Sequence, residues 1–297
     1  MASNKQDSTS GDMPHPACNA DIPPEGNKSF PHINADANPQ WRCIAASVRG
    51  VGHERSGQPC QDAHAWRRVG GRVLAACIAD GAGSAPLSED GARIASESAI
   101  DAIALALESA LPETDDAWSD VLLTAARASR TAVETEAVRR EIDARDFAST
   151  LILAAAHPSG IAIVQIGDGA AVVRDQSGEL SAITIPQNGE YLNETIFLVS
   201  PSAIETAQVV VWRGEPAQFA LFSDGLQTIA LSAKESAPYG PFFDPLFRFA
   251  GGVTNQSSAE LELAEFLKSP RFEQRTDDDL TLVLATLGDV VLSDSSA

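Results

Sequence analysis

Three times in this chain an apolar run ends abruptly in an Asp-Gly corner. Val73-Leu74-Ala75-Ala76-Cys77-Ile78 leads into Ala79-Asp80-Gly81-Ala82-Gly83-Ser84, Val164-Gln165-Ile166 into Gly167-Asp168-Gly169, and Phe219-Ala220-Leu221-Phe222 into Ser223-Asp224-Gly225. Such runs read as buried strands, and the glycines turn the backbone sharply at their ends. Gly81 and Gly83 carry no Cβ, so backbone can approach a ligand closely beside Asp80. An isolated Asp-Gly is ordinarily just a turn. Three of them, each directly after a buried-type strand, point to carboxylates gathered at one end of a sheet.

The elements around these corners follow from periodicity. A strand is expected over Trp41–Val48, a loop over Arg49–Pro59, and a second strand opening at Cys60-Gln61-Asp62. A Gly70-Gly71 turn pairs that strand with Val73–Ile78, which puts Asp62 and Asp80 on neighbouring strands of a hairpin. Helices are expected over Glu89–Ala110, where Ala92, Ala95, Ala99, Ile103 and Leu107 recur at threes and fours, and over Asp115–Ile142. From Phe147 to Ile185 the texture is strand-like, and Pro186–Thr206 reads as a long mixed loop. Strands near Val209–Trp212 and Phe219–Phe222, short helices near Phe243–Phe249 and Ser258–Leu267, and a last strand Leu280–Thr286 complete the order. Antiparallel meanders with helices grouped between them indicate an α+β layered fold. Residues 1–40 are poor in aliphatic side chains and are expected to be a disordered leader, 41–288 the folded domain, and 289–297 a frayed tail.

With 297 residues and 44% hydrophobic content the chain can bury an enzyme-sized core. Its 41 acidic residues against 21 basic ones argue against nucleic acid or an anionic membrane as partner. Cys18, Cys43, Cys60 and Cys77 show no C-x-x-C spacing, so neither a zinc site nor a disulfide framework is indicated. No apolar run reaches membrane-spanning length and no secretory signal is visible, so a cytoplasmic location is expected.

Asp62, Asp80, Asp168, Asp224 and Asp278 all fall beside strand ends. Five carboxylates brought together repel, so a positive charge is expected among them. Mg²⁺ or Mn²⁺ suits an all-oxygen donor set, whereas the five histidines are scattered and zinc is disfavoured. Two such cations sharing a water would make a nucleophile at neutral pH and polarise a phosphoryl oxygen. That chemistry is phosphate ester hydrolysis by direct attack of water.

At these residues the chain resembles the metal-dependent protein phosphatases of the 2C type, and more closely their bacterial subgroup. The matching pieces are Ser47-Val48-Arg49-Gly50 through His53, Pro59-Cys60-Gln61-Asp62-Ala63, Ala79-Asp80-Gly81-Ala82-Gly83-Ser84 with Gly91-Ala92, and Ile166-Gly167-Asp168-Gly169. Asn188-Gly189-Glu190-Tyr191 with Asn193-Glu194-Thr195, Phe222-Ser223-Asp224-Gly225 and Asp278-Asp279-Leu280-Thr281 follow in the family's order. The resemblance implies a sandwich of two antiparallel sheets flanked by helices, with Mn²⁺ or Mg²⁺ in a cleft at one end. It implies that Asp80 bridges two ions, that the Gly81 carbonyl completes one shell, and that Asp62, Asp224 and Asp278 hold the catalytic pair. Asp168 matches a position that, with the Asp224 equivalent, helps hold a third ion. Thr281 is expected to buttress Asp278. The implied substrates are phosphoserine and phosphothreonine proteins, with a cognate serine/threonine kinase as a further partner.

Two positions depart from the family. The phosphate-gripping arginine of many members is Gly57 here, which leaves Arg55 as the candidate, a surface arginine with no role being the alternative. The histidine that animal members carry in the Asp-Gly-x-Gly corner is Ala82, which leaves His53 as candidate general acid. Asn188 to Thr195 falls where members carry a flap over the cleft. The alternatives are a catalytically silent 2C-like module that binds a signalling partner, and another two-metal hydrolase such as a phosphodiesterase.

Overall fold

The computed structural model describes residues 39–187, 195–232 and 237–288. The expected tail, nearly all of the expected leader, and the 188–194 stretch of the expected flap lie outside these residues.

Among the described residues ten strands form two five-stranded sheets in which every neighbouring pair is antiparallel. In chain order they are β1 (Gln40–Val48), β2 (Ala63–Val69), β3 (Val73–Ala79), β4 (Leu151–His157), β5 (Gly160–Ile166), β6 (Ala170–Asp175), β7 (Leu180–Thr184), β8 (Gln208–Arg213), β9 (Pro216–Phe222) and β10 (Leu280–Gly288). One sheet runs β1-β10-β9-β6-β7 and the other β2-β3-β4-β5-β8. The helices are α1 (Val51–Ser56), α2 (Ser88–Ser109), α3 (Asp115–Arg140), α4 (Gln227–Ala230), α5 (Gly240–Gly251), α6 (Gln256–Leu267) and α7 (Pro270–Glu273).

Side-chain alternation sorts each strand between two cores. On β3, Val73, Ala75, Cys77 and Ala79 face α2 and α3, while Leu74, Ala76 and Ile78 enter the layer between the sheets. On β10, Leu280, Leu282 and Leu284 pack with Phe243 and Phe247 of α5, while Val283, Ala285 and Leu287 fill the same inter-sheet layer. The result is helix on sheet on sheet on helix. Strands covered on both faces need no polar side, which is why β3 and β5 are buried at every position and read as apolar runs broken only by Gln165.

The sequence reading differs from this structure in its short elements. The segment taken as a loop holds α1, closed by Gly57 in the left-handed region at φ 74°. A 3₁₀ turn at Ala144–Phe147 precedes β4, overlapping the expected strand-like stretch only at Phe147, and a second at Asp224–Leu226 opens the third corner. Pieces of three to six residues carry too little periodicity to be seen in advance.

Candidate active site

The hairpin register places two of the predicted carboxylates together. Ala63 pairs with Ala79, so Asp62 and Asp80 sit side by side just past the last pair of β2 and β3. The backbone of Asp80 is fixed against the entry to β4, with its N–H donating to Thr150 Oγ1 at 3.0 Å and its carbonyl accepting from Thr150 N at 2.7 Å. In the other sheet β9 pairs with both β6 and β10, which sets Asp168, Asp224 and Asp278 at the same end.

The glycines of these corners make room for protein rather than ligand. A Cβ on Gly81 would stand 2.6 Å from the Gln61 carbonyl oxygen, and one on Gly225 2.2 Å from that of Asp279. Each Asp-Gly corner thus interlocks with the segment bearing another acidic residue. Gly83, by contrast, has nothing within 4 Å of its Cβ direction. Gly225→Ala is expected to destabilise the protein by roughly 1–3 kcal/mol, the usual cost of overpacking, and to lower turnover as well. Chemical denaturation and a phosphatase assay on the same sample check both effects.

Electrostatics report the convergence directly. The side chains of Asp80 and Asp224 interact with each other. Burial, then Asp62, Asp224 and Asp278, hold the Asp80 pKa well above the usual carboxylate range. Asp62 is pushed up to about 8, chiefly by burial, with Asp279 and Asp224 adding to it and hydrogen bonds from Ser223 and Thr281 opposing it. Asp224 is raised to about 6 by burial, with Asp278 and Asp168 adding to it, and Asp278 is raised chiefly by burial. Asp278 is exposed by area and stands at the mouth of the group. No three His, Cys, Asp or Glu side chains among the described residues form a compact ligand cluster.

The inter-sheet layer changes from hydrocarbon to hydrogen bonds at this end. Ser223 Oγ donates to Asp62 Oδ2 at 2.8 Å and accepts from Thr281 N at 3.0 Å. Thr281 Oγ1 lies 2.6 Å from Ser47 Oγ, which is 2.8 Å from Nδ1 of His64 on β2. Thr281 therefore supports Asp62 and not, as expected, Asp278. Cys60 is no nucleophile, because burial first, and then Asp62 and Asp279, raise its thiol.

Asp279, not singled out from the acidic run, is the buried one, at 1% exposure. Its carboxylate accepts from Gly50 N and from Gln61 N, each at 2.6 Å, and so ties both ends of the α1 segment to the start of β10. The signal lay in period two, since Asp279, Thr281 and Val283 occupy one face. Asp279→Ala would strand two buried N–H groups at roughly 1–3 kcal/mol each. A large drop in the urea midpoint is expected, with Asp279→Asn intermediate because it keeps one acceptor.

The remaining predicted residues are placed as follows. His53 lies on α1 rather than in a flexible loop, with Nδ1 2.9 Å from Asp279 Oδ2 but without hydrogen-bond alignment. Arg55 is exposed and donates to Asp277 Oδ1 at 3.4 Å. Asp168 Oδ2 accepts from the Thr195 hydroxyl at 2.7 Å. Its corner is stapled by Gln165, whose side-chain amide donates to Gly167 O at 3.1 Å and Gly169 O at 2.8 Å. A fully buried glutamine within an apolar run was the sequence signal for that role.

Two face-to-face sheets between helical layers, with acidic corners at one end, are the fold of bacterial phosphatases. A bacterial serine phosphatase superposes with a TM-score of 0.58, at 14% identity over 85% of this chain and 100% of its own. The catalytic domain of the serine threonine protein phosphatase PstP, solved in complex with 2 manganese ions, gives 0.54, at 18% identity over 84% of this chain and 100% of its own. At such identities the likeness shows the fold alone. Sequence carries it further. Serine/threonine-protein phosphatase 3 of Escherichia coli (strain K12) is 34% identical over 252 residues, 82% of this chain and 98% of its own length. Residues 49–268 match the family described as Protein phosphatase 2C. The chain belongs to the protein phosphatase 2C family and is a phosphatase of that type.

Proposed function

We propose that this phosphatase hydrolyses phosphoserine and phosphothreonine esters in proteins, using two divalent cations, Mn²⁺ or Mg²⁺, held by Asp62, Asp80, Asp224, Asp278 and the Gly81 carbonyl. The observation that carries this reading is the convergence of four carboxyl groups whose pKa values are all raised. The donors fit hard cations: they are all oxygen, and the buried Oδ1 of Asp224 has no hydrogen-bond partner among the described residues. When bound, the ions would activate water as the nucleophile and neutralise the phosphoryl oxygens.

The chain's own residues supply position and protons. Ser223 and Thr281 fix Asp62, Thr150 fixes Asp80, and Asp279 clamps the segment leading to Asp62. With His53 Nδ1 against Asp279, its Nε2 is the atom proposed to protonate the leaving seryl or threonyl oxygen. Arg55 is proposed to turn from Asp277 to the phosphate. Both members of that pair are about 70% exposed, so the contact holds the arginine only weakly.

Asp168 is proposed to serve a third ion with Asp224, supported by its contribution to the raised Asp224 pKa. Asp168→Asn is accordingly expected to lower turnover only a few-fold at saturating metal, and its metal titration curve checks this. Residues 41–288 are proposed as the catalytic domain, between the leader 1–40 and the tail 289–297. The substrates are proposed to be the products of a cognate serine/threonine kinase in the cytoplasm. No helix among the described residues is long and apolar enough to cross a membrane.

The test is turnover of an aryl phosphate and of a phosphoserine protein by purified protein with Mn²⁺, alongside calorimetric titration with the metal. Hydrolysis of both, abolished by chelation, is expected. Metal uptake without hydrolysis of either would overturn the reading.

A further inference from the structure

Beside the acidic cluster lies a cavity of about 340 Å³ lined by Gln58, Pro59 and Gln61 on one side and by residues from Gly83 to Asp90 on the other. That volume falls within the roughly 300–1,000 Å³ of small-ligand sites. Both walls run straight into the site, since Gln61 precedes Asp62 and Gly83 follows Asp80 and Gly81. Gly81 N donates to the Gln61 carbonyl at 3.2 Å, which joins the walls at their base. A residue of a substrate chain flanking the one whose phosphate sits among the aspartates would lie at this cavity, because an extended chain advances only about 3.3 Å per residue.

Among the lining side chains, one acceptor open to solvent is a carboxylate. Gln61 is 5% exposed, and its amide oxygen is buried with no hydrogen-bond partner among the described residues. Two carboxylates stand at the rim. Asp90 is engaged by Arg140 at 2.7 Å and Arg93 at 3.3 Å, whereas exposed Glu89 has no ion pair among the described residues. An unpaired carboxylate lining the cavity suits a cationic donor. The overall charge of −20 acts in the same direction, because a phosphorylated segment carrying its own positive charge is repelled less.

We propose that this cavity receives an arginine or lysine side chain of the phosphoprotein, close in sequence to the phosphorylated residue, with Glu89 as its recognition group. The inference rests on the phosphoprotein reading above and adds a substrate class to it.

The experiment compares kcat/KM for a phosphoserine peptide with alanines around the phosphoresidue and for versions in which a single arginine is walked through the flanking positions. Wild type and Glu89→Lys are measured with Mn²⁺, with an aryl phosphate too small to reach the cavity as control. Wild type is expected to prefer one arginine position by about fivefold, the size of a half-exposed ion pair. Glu89→Lys is expected to lose or reverse that preference while hydrolysing the aryl phosphate at the wild-type rate. Absence of any arginine preference in wild type, or an equal loss on all peptides in Glu89→Lys, overturns the cavity's role and leaves the phosphatase reading standing. Failure to hydrolyse any ester overturns both.

Discussion

Asp80→Asn is expected to remove turnover almost entirely while leaving the fold standing. The Asp80 carboxyl is held well above the usual range by burial and then by Asp62, Asp224 and Asp278. An amide of nearly the same shape takes the place of a carboxyl whose burial already disfavours its charge, so packing loses little. Its backbone bonds to Thr150 do not involve the side chain. What disappears is the anion available to hold cations. Removing a single group aimed at developing charge costs about 10²–10³ in turnover, and a carboxylate proposed to hold both ions should cost at least that. The measurements are kcat on an aryl phosphate at saturating Mn²⁺ and the thermal midpoint. Near-normal turnover would remove Asp80 from the proposed site, and Asp224→Asn should behave alike.

In protein stripped of divalent cations, stability is expected to fall as pH rises from about 4 to about 8. This reverses the usual behaviour of aspartates, which are commonly stabilised as anions in the folded state. Here the folded pKa values lie above the unfolded value of 3.8, at about 6 for Asp224 and about 8 for Asp62. Between those limits the folded state binds more protons than the unfolded state, so the slope of unfolding free energy with pH is negative. The favourable contribution is complete below pH 4, is lost at Asp224 by about pH 6, and continues to drain at Asp62 toward pH 8. The shift at Asp224 alone corresponds to roughly 3 kcal/mol, or a midpoint change of about 6–12 °C for a domain of this size. Thermal scans across that range, with chelator and then with Mn²⁺, read the effect. Mn²⁺ should restore stability at the upper end, because it binds only the folded arrangement. A stability that is flat or rises with pH in chelator would contradict the convergence of these groups.

Much of the fold was legible because the strands are covered on both faces. β3 and β4 announce themselves as nearly unbroken apolar runs, β5 and β9 as runs broken only by Gln165 and Gln218, and α2 and α3 by their apolar stripe facing β3, β4 and β5. The expected bounds of α2 differ from the observed ones by one residue at each end. The site was legible only as far as residue type went. Asp62 and Asp80 were placed as neighbours by the hairpin alone. The choice of Asp278 passed over the buried Asp279, and Thr281 was assigned to the wrong carboxylate, because alternation across a strand end depends on where the ladder stops. His53 was placed in a loop that is a short helix. Arg55 was chosen by position alone, and its side chain meets Asp277.

The sequence by itself determined the layers, the strand–corner–strand rhythm and the supply of acidic residues at strand ends, since these follow from local periodicity and turn chemistry. Tertiary structure decided which of those acids meet. Residues 62, 80, 224 and 278 come together only because β2 pairs with β3 and β9 with β10, and because the missing Cβ atoms of Gly81 and Gly225 let the corners interlock. It also decided their proton affinities. Burial and mutual repulsion are properties of separations through space, and no pattern along the chain encodes them until the sheets are stacked.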